Sequence, residues 1–219
     1  NAFGNSEVVA MSANVVGGTS NPDNFVGQLN DNTHSPVADP LAHLPLPTWD
    51  PASDLGEVAM SGGTVTLSPG FYSGGITLTS NARVNLLPGM YILGGAGLNM
   101  SAQTEIYGID VTLFITGTGK VDMTGSGRVM LAPQNDGVYD DVLMFVDRRT
   151  GGLVNILGGA NFIAHGQMYA PASLVNIGGN GGAGGDPKMG FLLVCDELDL
   201  SGTGSVTFIR FPSPEDCYD

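Results

Sequence analysis

Leu67-Ser68-Pro69-Gly70-Phe71-Tyr72 recurs, at a shift of 19, as Leu86-Leu87-Pro88-Gly89-Met90-Tyr91. Each copy leads into a glycine pair, Gly74-Gly75 and then Gly94-Gly95. Proline fixes φ and glycine reaches φ > 0, so each Pro-Gly marks a sharp corner between two extended segments. Short alternating runs lie on either side of such corners: Thr64-Val65-Thr66-Leu67, Ile76-Thr77-Leu78-Thr79, Arg83-Val84-Asn85-Leu86 and Val111-Thr112-Leu113-Phe114-Ile115. This is the punctuation of strands, and no window of helical length shows a 3.6 period without Gly or Pro interrupting it.

The spacing recurs further along. Val154-Asn155-Ile156 returns as Val175-Asn176-Ile177, at a shift of 21. The segment from Val121 to Val129 aligns with Leu198 to Val206 at a shift of 77, the length of four rungs of about 19. Strands that repeat at this interval point to a coiled parallel sheet, in which inward side chains of successive coils stack into one core. The expected fold is therefore all-β, a right-handed parallel β-solenoid (β-helix) with rungs of about 19–21 residues. A β-sandwich of many short strands is the competing architecture, and the fixed short period weighs against it. Asn155 and Asn176 hold equivalent places in the repeat and are expected to stack as an amide ladder at a corner.

Residues 1–50 read differently and are expected to form an extended N-terminal strand and capping segment; residues 51–219 are the solenoid with a C-terminal tail. Val8, Val9, Val15 and Val16 favour a strand or two between Ser6 and Val16. A polar stretch from Gly17 to Asp39 carries turn signals. The prolines in Asp39-Pro40-Leu41-Ala42-His43-Leu44-Pro45-Leu46-Pro47-Thr48-Trp49 exclude a helix or a central strand. Its leucines and tryptophan are costly to expose, so this segment is expected to lie across apolar surface. An open solenoid end is an unpaired sheet edge. The ends and the N-terminal segment are thus where self-association, or contact with other surface proteins, is expected.

Composition narrows the function. The chain has 219 residues, 21 acidic and 7 basic, for a net charge of −14. Nucleic-acid binding needs clustered Lys and Arg, and there are none. Anionic membranes are disfavoured for the same reason. The longest apolar runs, Val142–Val146 and Phe191–Cys195, are five residues each. A spanning helix needs about 20 apolar positions. The chain opens at Asn1, which fits a processed product. Cys195 and Cys217 are expected to pair as a disulfide in an oxidising compartment, tying the tail to the body; otherwise one thiol is buried and one exposed.

No catalytic constellation stands out. His34, His43 and His165 lie far apart, and none has a metal-ligand partner at short spacing. The acidic groups Asp136, Asp140 and Asp141, Asp147-Arg148-Arg149, and Asp196, Glu197 and Asp199 raise a second function class. That class is a carbohydrate-binding or carbohydrate-active β-helix, which would need two facing carboxyls for hydrolysis. The match of Asp122 to Asp199 within the repeat makes those two architectural. No cofactor is required; calcium is the one ion the sequence admits, at Asp136, Asp140 and Asp141. Gly181-Gly182-Ala183-Gly184-Gly185-Asp186 begins like a calcium-binding nonapeptide, but it stands alone and reads as a glycine loop. Gly117-Thr118-Gly119-Lys120 is a turn between strands.

Several motifs together resemble one bacterial domain. They are Asp39-Pro40-Leu41-Ala42 followed by Leu44-Pro45, the repeated Pro-Gly-x-Tyr with Gly-Gly, Val111-Thr112-Leu113-Phe114, Leu131-Ala132-Pro133 and Phe145-Val146-Asp147-Arg148. From about Val15 to Phe211 the chain resembles the C-terminal surface domain of TadG-like, Tad-type pilus-assembly and pilin-like envelope proteins. The resemblance implies export, an extracellular or cell-surface location, pilus or filament association, and no enzymatic residues. In that family the domain usually follows a membrane-anchoring helix, which this sequence does not include.

Overall fold

The computed structural model describes residues 7–31, 38–157, 161–179, 188–189, 192–202 and 207–208. Two strands, β1 (Val8–Asn14) and β2 (Phe25–Asn30), pair in parallel near the N-terminus. The strand expected near Val8 is present. β2 lies within the polar stretch 17–39, where the sequence shows turn signals.

The solenoid then climbs three strands to a rung. The first rung is β3 (Glu57–Met60), β4 (Thr64–Leu67) and β5 (Gly70–Tyr72). The second is β6 (Gly75–Leu78), β7 (Arg83–Leu86) and β8 (Gly89–Leu93). The third is β9 (Gly97–Met100), β10 (Glu105–Gly108) and β11 (Val111–Ile115). The fourth is β12 (Lys120–Thr124), β13 (Arg128–Leu131) and β14 (Val142–Val146). Next come β15 (Gly152–Leu157), β16 (Asn161–Ala164) and the long β17 (Gln167–Gly179). β17 rounds a corner to begin another rung, continued by β18 (Lys188–Met189), β19 (Leu192–Gly202) and β20 (Thr207–Phe208). Every pairing between rungs is parallel. There is no α-helix among the described residues, and no helix long and apolar enough to cross a membrane.

Three faces result. The first stacks β3, β6, β9, β12, β15 and the later halves of β17 and β19. The second stacks β4, β7, β10, β13, β16, β18 and β20. The third stacks β5, β8, β11, β14 and the earlier halves of β17 and β19. Side chains alternate along a strand, so half of each strand points into the stack. On the first face Ile76, Leu98, Val121, Val154 and Val175 form one inward column in register. All five are fully buried, and side chains of this kind contribute about 1.5–3 kcal/mol each.

The Pro-Gly-x-Tyr motif has a local logic. Tyr72 and Tyr91 both point inward, with rings 6.1 Å apart and stacked. Each phenol bonds to the carbonyl four positions back, Tyr72 to Ser68 at 2.6 Å and Tyr91 to Leu87 at 2.8 Å. The tyrosine thus closes its own corner from the inside.

The period departs from the expected 19–21. Val58 pairs with Ile76, a step of 18 in number; Leu98 pairs with Val121, a step of 23; Val121 pairs with Val154, a step of 33. The extra length lies in 132–141, between β13 and β14. Val121 and Leu198 do share a column, through Val154 and Val175. The shift of 77 between them is therefore three rungs and not four, because the long rung lies between them. The asparagine ladder exists but sits mid-strand. Asn176 donates to Asn155 at 2.8 Å, and Asn155 lies 3.5 Å from Asp122, along the outward side of the first face. Asp199 continues the row beside Asn176. A corner would expose these amides to water; on the strand they are half-buried and bond to one another, fixing the register of neighbouring rungs.

Candidate functional surfaces: the strapped face and the open end

The third face is apolar on both sides. Its outward column runs Phe71, Ile92, Phe114, Phe145, Tyr169 and Val194 in register. This explains Val111–Ile115 and Val142–Val146, where every residue is buried. A strand buried on both faces loses its alternation. Left bare, this column would be a long apolar strip.

The segment 39–50 covers it. Leu41, Leu44 and Pro47 are buried there, and Leu46 and Trp49 are half-buried. Trp49 lies 5.3 Å from Phe71 and 6.1 Å from Phe114, ring centre to ring centre. Phe145 meets Phe114 at 5.3 Å and Tyr169 at 4.8 Å, both edge to face. Such pairs add about 0.5–1.5 kcal/mol beyond burial. The strap therefore runs along the axis, from the rung of Tyr169 down to the rung of Phe71.

Polar contacts pin the strap, since its prolines remove backbone donors. Tyr169 donates to Asp39 Oδ2 at 2.7 Å, and Tyr139 donates to the Pro45 carbonyl at 3.1 Å. Arg148 donates through Nη1 to Ala42 O at 3.0 Å and through Nη2 to Leu44 O. Its guanidinium also lies 5.4 Å from the ring centres of both Phe145 and Tyr169, within cation–π range. Burial, then the bond to Asp39, pushes the Tyr169 phenol up to about 12, so it stays protonated and donates. The expectation that this proline-rich segment covers apolar surface holds.

Asp147 is structural. It is 1% exposed and sits at the corner after β14. Its carboxylate accepts from Arg149 Nη2 at 2.6 Å, Arg149 Nε at 3.0 Å, the Arg149 backbone N–H at 2.9 Å and Thr116 Oγ1 at 3.3 Å. The Arg149 side-chain bond, aided by the others against desolvation, holds its pKa below the usual carboxylate value. Its contribution to stability is therefore present above the unfolded carboxylate pKa. It is lost as pH falls through the lower, folded value.

The remaining predicted residues scatter. Asp136 and Asp140 are exposed in the insertion of the fourth rung. Asp141, at φ +60°, accepts from Gln167 Nε2 at 3.4 Å. No three His, Cys, Asp or Glu side chains converge as a metal site among the described residues, so the structure does not bring the three calcium candidates together. Asp196 and Glu197 are exposed on β19. His165 is buried just after β16, and His43 is exposed on the strap. Cys195 is a free, half-buried thiol, pushed up to about 11 by burial and then by Asp196. Its expected partner Cys217 lies outside the described residues, as do His34 and the glycine loop 181–186. The turn at 117–119 is as expected.

The open end is the first rung. β3 and β4 terminate their sheets, and no strand pairs with their outer edges among the described residues. Among the described residues β5 is met there by the segment before β3: Asp54 bridges Phe71, and the Leu55 N–H donates to the Phe71 carbonyl at 2.8 Å. Val58, Met60 and Val65 are half-buried at this end, and Leu55 is 51% exposed beside it. Charge guards it: Asp50, Asp54 and Glu57 are exposed, and no Lys or Arg precedes Arg83. Asp54 accepts from the backbone N–H groups of Gly56 at 2.8 Å and Ser73 at 3.0 Å. Its pKa is lowered, by the Ser73 side chain first and these N–H groups next.

These features define a parallel β-solenoid with one strapped face and one open rung. No family model, no curated protein and no solved structure matches the chain.

Proposed function

We propose a non-catalytic structural role on the bacterial cell surface, as a pilus- or filament-related subunit that associates through the ends of its solenoid. The observation that carries this reading is the first rung, whose β3 and β4 edges lack a partner strand among the described residues. Half-buried Val58, Met60 and Val65 lie behind those edges. A parallel edge extends by adding a rung from a second copy, with backbone bonds supplying the affinity. The surface location is supported by the resemblance to pilus-associated envelope domains and by the acidic, lysine-poor composition.

Both ends carry like charge: Asp54 and Glu57 at the first rung, Asp196, Glu197 and Asp199 at the last. Association is therefore weakest at neutral pH and low salt. It strengthens with ionic strength, which screens the repulsion, and as pH falls through the carboxylate range. The pKa of Asp54 is lowered, by the Ser73 side chain first and by backbone N–H groups next, so its charge persists below the usual carboxylate value. Sedimentation velocity of the full chain, over a concentration series at low and high salt, tests this. The expected result is mass that grows with concentration, more steeply at high salt, and is reduced about tenfold in affinity by Leu55→Asp, a loss of about 1.4 kcal/mol. A chain that stays monomeric under all these conditions removes the reading.

A further inference from the structure

The second face is neither strapped nor an edge. Val84 and Ile106 fill the core from it, so the alternate residues of the same strands point outward. Register places Arg83, Glu105 and Arg128 in one outward row, and Asn85 and Tyr107 in the next. Arg83 Nε lies 3.3 Å from Glu105 Oε2, with the two side chains 60% and 38% exposed. At the adjoining corner Asn81 and Gln103 complete an open groove of about 450 Å³, which also takes in Thr64. Tyr107, two positions along the strand from Glu105, is 37% exposed.

We infer that this face is a binding site for a neutral, extended polysaccharide lying across the rungs. Four features support it. Amides and a guanidinium–carboxylate pair present donors and acceptors side by side, the chemistry that holds neighbouring sugar hydroxyls. The groups repeat at the spacing of neighbouring strands, about 4.8 Å, close to the length of one pyranose unit in an extended glycan. The ring of Tyr107 offers an amphipathic platform for the C–H side of a sugar. The overall charge of −14 repels polyanions, which selects neutral glycans over acidic ones. A peptide strand is a poor occupant, because the backbone hydrogen bonds of β7 and β10 are used between rungs.

Affinity electrophoresis of the full chain through gels containing soluble β-glucan, xylan or galactomannan, with polygalacturonate as the acidic probe, tests the site. The expected result is retardation by at least one neutral glycan, little changed by salt. Tyr107→Ala and Gln103→Ala, both at exposed positions, should each weaken it at least tenfold while leaving the melting temperature within a few degrees. Retardation by none of the neutral glycans overturns the inference, as does retardation that Tyr107→Ala leaves intact, or salt-sensitive retardation by polygalacturonate alone. The site does not depend on end-to-end association, so a strictly monomeric chain still binds glycan if the inference is right.

Discussion

Replacing Leu41, Leu44 and Trp49 together with serine should lower the melting temperature by about 10–20 °C and leave a protein that binds hydrophobic dyes. These side chains cover Phe71, Ile92, Phe114, Phe145 and Tyr169, which otherwise form a continuous outward column. Burying a large apolar side chain is worth about 1.5–3 kcal/mol, so three such losses cost about 5 kcal/mol or more. For a chain of this size, each kcal/mol corresponds to about 2–4 °C. The bonds from Arg148, Tyr139 and Tyr169 reach Ala42, Leu44, Pro45 and Asp39. Two of these acceptors are backbone carbonyls at unsubstituted residues, so the strap keeps an anchor even when its apolar contacts are gone. Differential scanning calorimetry with dye fluorescence reads both effects. A triple variant that melts within a few degrees of wild type would show that the strap does not cover the column.

The second large effect is at Gly97. Its φ is +72°, and a Cβ there would lie 2.1 Å from Lys120 O and 2.5 Å from Lys120 N in the next rung. Backbone cannot move aside as a flexible side chain does. A strained positive φ costs about 1–3 kcal/mol and overpacking about 1–3 kcal/mol more. Gly97→Ala should therefore lose about 3 kcal/mol or more, and Gly97→Val should fail to give soluble protein. Gly117 is the control, because it has a similar φ of +67° with nothing within 4 Å of the added methyl. Gly117→Ala should cost about 1 kcal/mol, the conformational part alone. Equal losses for the two alanine variants would mean that rungs do not approach so closely at Gly97.

The sequence carried the coil more clearly than its register. Leu67 and Leu86 were aligned by their motif and do pair. Tyr72 and Tyr91 were aligned by the same motif, yet Tyr72 pairs with Leu93. The motif encodes a corner closed by a tyrosine bonding four positions back, so it repeats wherever that corner repeats. The second rung is simply longer between its leucine and the next paired strand, Leu86 to Leu93 against Leu67 to Tyr72. The 132–141 insertion misled the count of rungs in the same way: a corner loop lengthens one turn without disturbing the column Val121–Val154–Val175–Leu198. β2 was hidden because turn-forming residues flank Phe25–Asn30, and the segment itself includes Gly27, Gln28 and Asn30.

The surfaces were legible to different degrees. The strap announced itself by leucines and tryptophan among prolines. Its target did not, because the outward column assembles residues from six strands only once the rungs are stacked. The available signal was the continuous apolar run of Val142–Val146, too unbroken for a half-exposed strand. The second-face groove left no signal at all. Asn81, Arg83, Gln103 and Glu105 come from two rungs and look like ordinary surface residues in a linear reading.

Both functional readings depend on the solenoid's register, and paired cysteines read it directly. In a Cys195→Ser, Cys217→Ser background, Asp122→Cys combined with Asn155→Cys places two thiols on facing positions of β12 and β15. Facing Cα atoms of adjacent strands fall within the window of about 4.4–6.8 Å that a disulfide needs. A uniform shift of 19 from rung to rung would instead set position 122 beside position 141. The account predicts that the 122–155 pair oxidises fully and reversibly, as read by mass spectrometry, and that Asp122→Cys with Asp141→Cys does not. Efficient cross-linking of 122 to 141, with none between 122 and 155, would contradict it.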